Sequence, residues 1–205
     1  MYYSVKLKDH SGIDNNEFLY HMIFDIIEED ICGDNQKIIG AAEIFLSNDF
    51  SNYRLSDIFW EFDAYVAGGV EILNCLFKKA EPIFEKFMCL EKVKINYDKL
   101  ALSDIAYDGG VFHYDDLPRL FILETIKIIE ERENLGIAKM VISYLENTYG
   151  YSRLKMLFAA PLNNNCGGNY EGIDYAEKQE KLNNLYQKIG YQKANKKPYK
   201  IFYKF

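Results

Sequence analysis

The sequence predicts an α/β chain of the α+β kind, a sheet flanked by helices, and three features lead there. Turn-punctuated runs of β-favouring residues fill the first quarter. A stretch with apolar residues at helical spacing follows. The last third runs strand, glycine turn, helix, strand, helix and strand, with strands rich in Ile, Leu, Phe and Tyr. At 205 residues and 49% hydrophobic composition, the chain carries enough apolar surface for a substantial core. No repeat or low-complexity linker divides it, so a single domain over residues 1–205 is expected.

Tyr2 to Lys8 alternates apolar and polar residues and reads as a first strand. Phe18 to Ile27 reads as a second. Lys37 to Leu46 follows as its partner across a turn at Gly33-Asp34-Asn35, so the pair forms a hairpin or meander. Ser51 to Tyr65 has no decisive period; it holds the only tryptophan, Trp60, among Phe59, Glu61, Phe62 and Asp63. Val70 to Met88 sets Val70, Leu73, Phe77, Ala80, Phe84 and Phe87 on one side of a helix, kinked or broken at Pro82. Lys92 to Asn96 reads as a short strand, and Asp104 to Asp116, around Asp108-Gly109-Gly110, as a loop.

The C-terminal part carries the functional signal. Leu120 to Ile128 is a strand-like run that ends in charges, and Glu133-Asn134-Leu135-Gly136-Ile137-Ala138 follows it. Ile137, Val141, Tyr144 and Leu145 then recur at helical spacing until Tyr149-Gly150 supplies a stop. A strand feeding a glycine turn into a helix gathers unpaired backbone N–H groups and the positive end of a helix dipole. Such a spot suits an anion such as a pyrophosphate. Gly136 matters because a side chain there would hold a phosphate away from the backbone. Leu154 to Pro161 reads as a second buried strand, ended by proline. Asn163 to Asp174, with Cys166-Gly167-Gly168, reads as a surface excursion, after which a short helix reaches Leu185 to Tyr191. Tyr199 to Phe205 alternates as a terminal strand.

This order of elements resembles the GNAT superfamily of N-acetyltransferases. Gly136 and Ala138 fit its pyrophosphate loop, Gln/Arg-x-x-Gly-x-Gly/Ala, and Tyr186, Gly190 and Tyr191 fit its later Tyr-x-x-x-Gly-Phe/Tyr pattern. Glu133 stands at the Gln/Arg position, or Arg132 does through a loop longer by one residue. The likeness covers roughly Leu120 to Phe205, and more loosely the β-rich N-terminal region. It implies a mixed, mostly antiparallel central sheet flanked by helices, whose central strands splay to admit the pantetheine arm of acetyl-CoA. It also implies transfer of an acetyl group from acetyl-CoA to a primary amine by direct attack on the thioester. Cofactor contacts would come from Ile126, Lys127 and Ile128 on the strand, and from Arg132, Glu133, Asn134 and Leu135 in the loop. Gly136, Ile137, Ala138 and Lys139 would add the helix start.

Amine acetylation needs a base, because a lysine-like ammonium has a pKa near ~10.4. Glu124, within the strand before the loop, is the candidate base, and an acidic residue on this strand often has that role in the family. Tyr186, four residues before Gly190, is the candidate acid that protonates the leaving thiolate. Asn183 and Asn184 are candidates for hydrogen bonds to the cofactor's polar arm. Trp60, Glu61 and Asp63 combine aromatic surface with carboxylates, a bed for a cationic amine, and His113 is placed at the same mouth. The acceptor is thus expected to be a small-molecule or peptide amine. Two alternatives stay open: a non-catalytic acyl-CoA sensor or protein-interaction module of the same fold, and a nucleotide-binding regulator. The second lacks the lysine-serine ending of a P-loop.

The formal charge of −7, without a basic stripe, argues against a nucleic-acid partner. No apolar run approaches the ~20 residues of a membrane span and no signal peptide is seen, so a cytoplasmic enzyme is expected. The four cysteines, Cys32, Cys75, Cys89 and Cys166, form no CxxC pair, and the histidines are dispersed, so no metal site or disulfide framework is expected.

Overall fold

A computed structural model describes residues 2–12, 18–32, 35–48, 53, 55–76, 119–151, 153–159, 173–194 and 201–204. The chain opens as a meander of β1 (Tyr2–Gly12), β2 (Leu19–Glu29) and β3 (Gln36–Ser47). Each pair is antiparallel, with Tyr2 opposite Glu29 and Leu19 opposite Ser47. The β2–β3 turn is closed by the Asp30 N–H on the Asn35 carbonyl at 3.2 Å; Gly33 and Asp34, between them, lie outside the described residues. These strands are longer than their alternation suggested: the β1–β2 ladder runs on through polar residues to pair Gly12 with Tyr20 at one end and Tyr2 with Glu29 at the other.

The centre of the sheet comes from the C-terminal half. β4 (Leu120–Ile128) lies antiparallel to β3, and β5 (Leu154–Phe158) lies parallel to β4. β7 (Ile201–Lys204) returns antiparallel to β5, and β6 (Gln192–Lys193) closes the edge, for an order of β1-β2-β3-β4-β5-β7-β6. The described residues therefore form a mixed α/β architecture with a seven-stranded, mostly antiparallel sheet. Four helices accompany it among those residues: α1 (Leu55–Tyr65), α2 (Gly69–Leu76), α3 (Ile137–Tyr149) and α4 (Ile173–Lys188). A parallel strand pair needs a crossover, and α3 supplies it between β4 and β5.

Both faces of the sheet are buried at the start of β4, which is why that strand reads as a nearly continuous apolar run. Leu120 and Ile122 point to one face, where Phe59 and Phe62 of α1 and Ile72 and Leu73 of α2 pack with Phe18 and Met156. Phe121 and Leu123 point to the other, against Ile137, Val141 and Leu145 of α3 and Tyr186 of α4. Where β3, β4 and β5 meet, the Leu120 N–H donates to Ser47 Oγ at 2.7 Å, and the Arg153 guanidinium donates to the Ser47 carbonyl.

Several expectations change. Within Ser51 to Tyr65, residues 55–65 are helical, because Ile58, Phe59 and Phe62 recur on one side and are fully buried. The helix expected from Val70 starts at Gly69 and is described to Leu76; Pro82, the strand at Lys92 to Asn96 and the loop at Asp104 to Asp116 lie outside the described residues. Ile173 and Asp174 belong to α4, while the rest of the Asn163 to Asp174 excursion lies outside them. α4 is not short: it runs 16 residues. Tyr144 is exposed rather than inside, and Ile142 takes the inward position on α3. Leu145 is fully buried between α3 and the sheet. Leu145→Ala should therefore lower stability by about 2–5 kcal/mol, read as a drop in the urea midpoint at unchanged slope.

Candidate functional site

The site begins where β4 and β5 part. Their parallel pairing runs from Leu120–Leu154 to Leu123–Leu157 and stops, although β4 continues to Ile128 beside β3. One step on β3, from Glu43 to Ile44, spans two on β4, from Thr125 to Leu123, so Glu124 is the extra residue of a β-bulge. A bulge bends its strand and increases the local twist, turning β4 away from β5 just above their last pair. Leu123 and Ile126, three residues apart, both pack on the α3 side, which is the slip in alternation that such an insertion leaves. Among the described residues no strand pairs with Glu124 to Ile128 on the side of β5. A cleft of about 680 Å³ opens there.

One wall of the cleft is β4 from Leu123 to Ile128; the other is α4, through Leu182, Leu185 and Tyr186, with Phe158 at the base. The far end is the loop before α3. A 3-10 turn at Glu130–Arg132 leads to Asn134 at φ 63° and Gly136 at φ 79°, both left-handed, and α3 starts at Ile137. Gly136 is the N-cap and contributes no side-chain cap, so the first-turn N–H groups have neither an intrahelical acceptor nor one from the capping residue. A Cβ built on Gly136 would meet nothing within 4 Å: the glycine borders open space, at a φ that other residues rarely adopt.

The charge of this cleft opposes that of the chain. Lys127, Arg132, Lys139, Lys178, Lys181 and Lys188 line it, against two carboxylates, Glu124 and Glu133, while the whole chain carries −7. The α4 lysines were missed by sequence reasoning, although their shared helical face was readable. Arg132 has a structural occupation: Nε and Nη2 bind the two carboxylate oxygens of Glu28 at 2.8 and 2.9 Å. The hydrogen bond from Arg132 holds the Glu28 carboxyl below its ordinary pKa, and the same bond raises that of the guanidinium. Arg132 thus ties the loop to the end of β2 while it lines the cleft.

Glu124 is half-buried, and both of its oxygens accept the Ala67 N–H, at 3.0 and 3.2 Å. Burial raises its pKa; the Ala67 N–H lowers it, the Glu43 carboxylate raises it and His21 lowers it. His21 Nε2 lies 3.3 Å from Glu43 Oε2, and its ring stacks on Phe45 at 4.6 Å. Neither His21 nor Glu43 carried a sequence signal, since they join Glu124 only through strand register. Tyr186 is 6% exposed, packs edgewise on Tyr191 at 6.1 Å, and has its hydroxyl pKa pushed up to about 12 by burial.

Of the expected cofactor residues, Ile126, Lys127, Ile128, Arg132, Glu133, Asn134, Gly136, Ile137, Ala138 and Lys139 line the cleft, as does Asn184. Leu135 does not; it is 60% exposed. Asn183 instead accepts a hydrogen bond from Gln179 at 3.1 Å. The expected acceptor residues are not brought to this cleft. Trp60 and Asp63 lie on the exposed side of α1, Glu61 is buried at 4% exposure, and His113 is outside the described residues. Their helix turns Phe59 and Phe62 inward, so neighbours in sequence point in different directions. Among the described residues no cluster of His, Cys, Asp or Glu is arranged to hold a metal, and no helix is long and apolar enough to cross a membrane. Comparison with protein-family models, curated proteins and solved structures found no match.

The Glu28–Arg132 pair sets a pH dependence of stability. A carboxylate with a depressed folded-state pKa contributes fully above its unfolded value, near 4.5, and the contribution is lost as pH falls through the folded value. Arg132→Ala should lower the urea midpoint at pH 7, and its gap from wild type should narrow below pH ~4.5. A gap unchanged between pH 7 and pH 3 contradicts this role.

Proposed function

We propose that this chain is an acyl-CoA-dependent N-acetyltransferase of the GNAT kind, acting on a primary amine. The observation that carries the reading is the early end of the β4–β5 pairing opposite the uncapped start of α3. The edge of Glu124 to Ile128, which no strand pairs on that side among the described residues, offers backbone donors and acceptors along a line, which fits the amide-bearing arm of a pantetheine as strand addition fits a peptide. The first-turn N–H groups after Gly136 and the lysines of the cleft suit the phosphates of coenzyme A. Acetyl-CoA would supply an acetyl group already activated as a thioester.

The residues of the chain then divide the work. Glu124 would accept a proton from the acceptor ammonium, freeing the lone pair that attacks the carbonyl; burial suits it to this by raising its pKa. Tyr186, protonated throughout the physiological range at a pKa of about 12, would give its hydroxyl proton to the departing sulfur and take back the second proton that the nitrogen sheds on becoming an amide. The cleft holds the reactants together, and that positioning is the larger contribution. A second reading, a non-catalytic acyl-CoA sensor, draws on Glu133 at the cleft and on the engagement of Arg132 by Glu28, both of which weaken phosphate binding.

Thermal unfolding separates these readings from their failure. Acetyl-CoA at 100 times its Kd should stabilise the native chain by about 2.7 kcal/mol. Gly136→Val should remove that stabilisation, since its side chain would occupy the open space at the loop. Thiol release with a panel of amines then divides enzyme from sensor. Glu124→Gln should lower kcat by about 10²–10⁴-fold while the cofactor-induced rise in melting temperature persists. Wild-type activity should fall as pH drops through the raised Glu124 pKa, and Glu124→Gln should lose that limb. No stabilisation by any CoA thioester contradicts both readings.

A further inference from the structure

One tight turn touches both branches of the fork. Val66, Ala67, Gly68 and Gly69 join α1 to α2, and the Gly69 N–H closes the turn on the Val66 carbonyl at 2.8 Å. Gly68 has φ +65° and Ala67 lies outside the left-handed region, the pattern of a type II turn with glycine third. The Ala67 N–H is left over, and it donates to both oxygens of Glu124. A Cβ on Gly68 would lie 2.5 Å from Cδ2 and 2.6 Å from Cγ of Phe158, so the turn backbone rests directly on that ring. Glu124 follows Leu123 and Phe158 follows Leu157, and Leu123–Leu157 is the last pair that β4 and β5 share. The turn therefore bridges the first residue of each strand beyond the point of parting.

We infer that the Ala67–Gly68 turn is a positioning clip, which fixes the Glu124 carboxylate as a proton acceptor and sets the gape of the fork through Phe158. The inference deepens the acyltransferase reading and rests on it for its catalytic meaning. Ala67 and Gly68 touch no reacting atom; they act through Glu124 and Phe158. Phe158 lines the cleft, so displacement of its ring narrows the space at the base. The titratable groups acting on Glu124 from the packed strands are Glu43 on β3 and His21 on β2, while Phe158 and the turn carry no charge. A backbone N–H favours the ionised carboxylate, so its removal raises the Glu124 pKa, by about one unit for a single bond to a charged group.

Ala67→Pro makes the test, because proline is favoured at the second position of a type II turn and has no N–H. Its Glu124 side-chain ¹³C titration, assigned with Glu124→Gln, should shift up by about one pH unit, and the acid limb of kcat/KM should move with it. Ala67→Gly keeps the N–H and should leave both where wild type has them. Gly68→Ala should reduce the acetyl-CoA-induced rise in melting temperature by pressing on Phe158. In the wild-type chain, the Ala67 amide resonance should titrate with Glu124 and should become flat in Glu124→Gln; this needs no altered turn. An unmoved Glu124 titration in folded Ala67→Pro, or a wild-type Ala67 amide indifferent to pH, overturns the clip. The two titrations require no activity, so a chain that ignores acetyl-CoA fails the acyltransferase reading alone.

Discussion

The parallel contact between β4 and β5 ends after four residue pairs, and the rest of the site follows from that ending. The cause is local: Glu124 is inserted as a bulge on β4, and a bulged strand bends. Parallel pairing that continued to Ile128 would fill the cleft with its own ladder and consume the backbone groups of Glu124 to Ile128. Because it stops, the edge of Glu124 to Ile128 has no strand partner on that side among the described residues, next to a stretch of β4 packed on both faces with Phe, Leu and Ile. The bulge therefore accounts for the space between the two strands.

Electrostatics then decides what kind of occupant fits. An acidic chain would repel an anion at long range, yet the cleft gathers six cationic side chains from β4, the loop, α3 and α4. Arg132 is already engaged by Glu28, and Lys181 by Glu177 at 2.7 Å. The Glu28–Arg132 pair matters more as a strut. It anchors the loop whose left-handed residues, Asn134 and Gly136, aim the start of α3 into the cleft. On the other face of the sheet, the half-buried Glu124 shares its surroundings with Glu43 and His21. The cations of the loop, α3 and α4 thus sit on one side of β4 and the Glu43–His21 pair on the other.

Much of the architecture was legible because its signals are local. The alternation of β1 to β3, the apolar run of β4, and the Gly136 turn into Ile137, Val141 and Leu145 each lie within a few residues. The helix α1 was harder, since the adjacent Phe59, Trp60, Glu61 and Phe62 mix buried and exposed types, and only its burial resolves the period. What escaped the sequence is contact between distant residues. Arg132 meets Glu28 across 104 positions, and Ala67 meets Glu124 across 57. The bulge at Glu124 was equally hidden, for a strand with both faces buried shows no alternation to interrupt. Chemical type was readable from the residues; orientation was set by register and turn geometry.

The central claim is that the fork between β4 and β5, with the start of α3, is where a CoA thioester lies. Residue-resolved amide hydrogen exchange with and without acetyl-CoA tests it most directly. The account predicts slower exchange at the amides of Gly136 to Lys139 and at those of Glu124 to Ile128 that face the fork, with Trp60 and Asp63 on α1 unchanged. Unaltered exchange along both segments at saturating acetyl-CoA, or protection confined to α1, would contradict it.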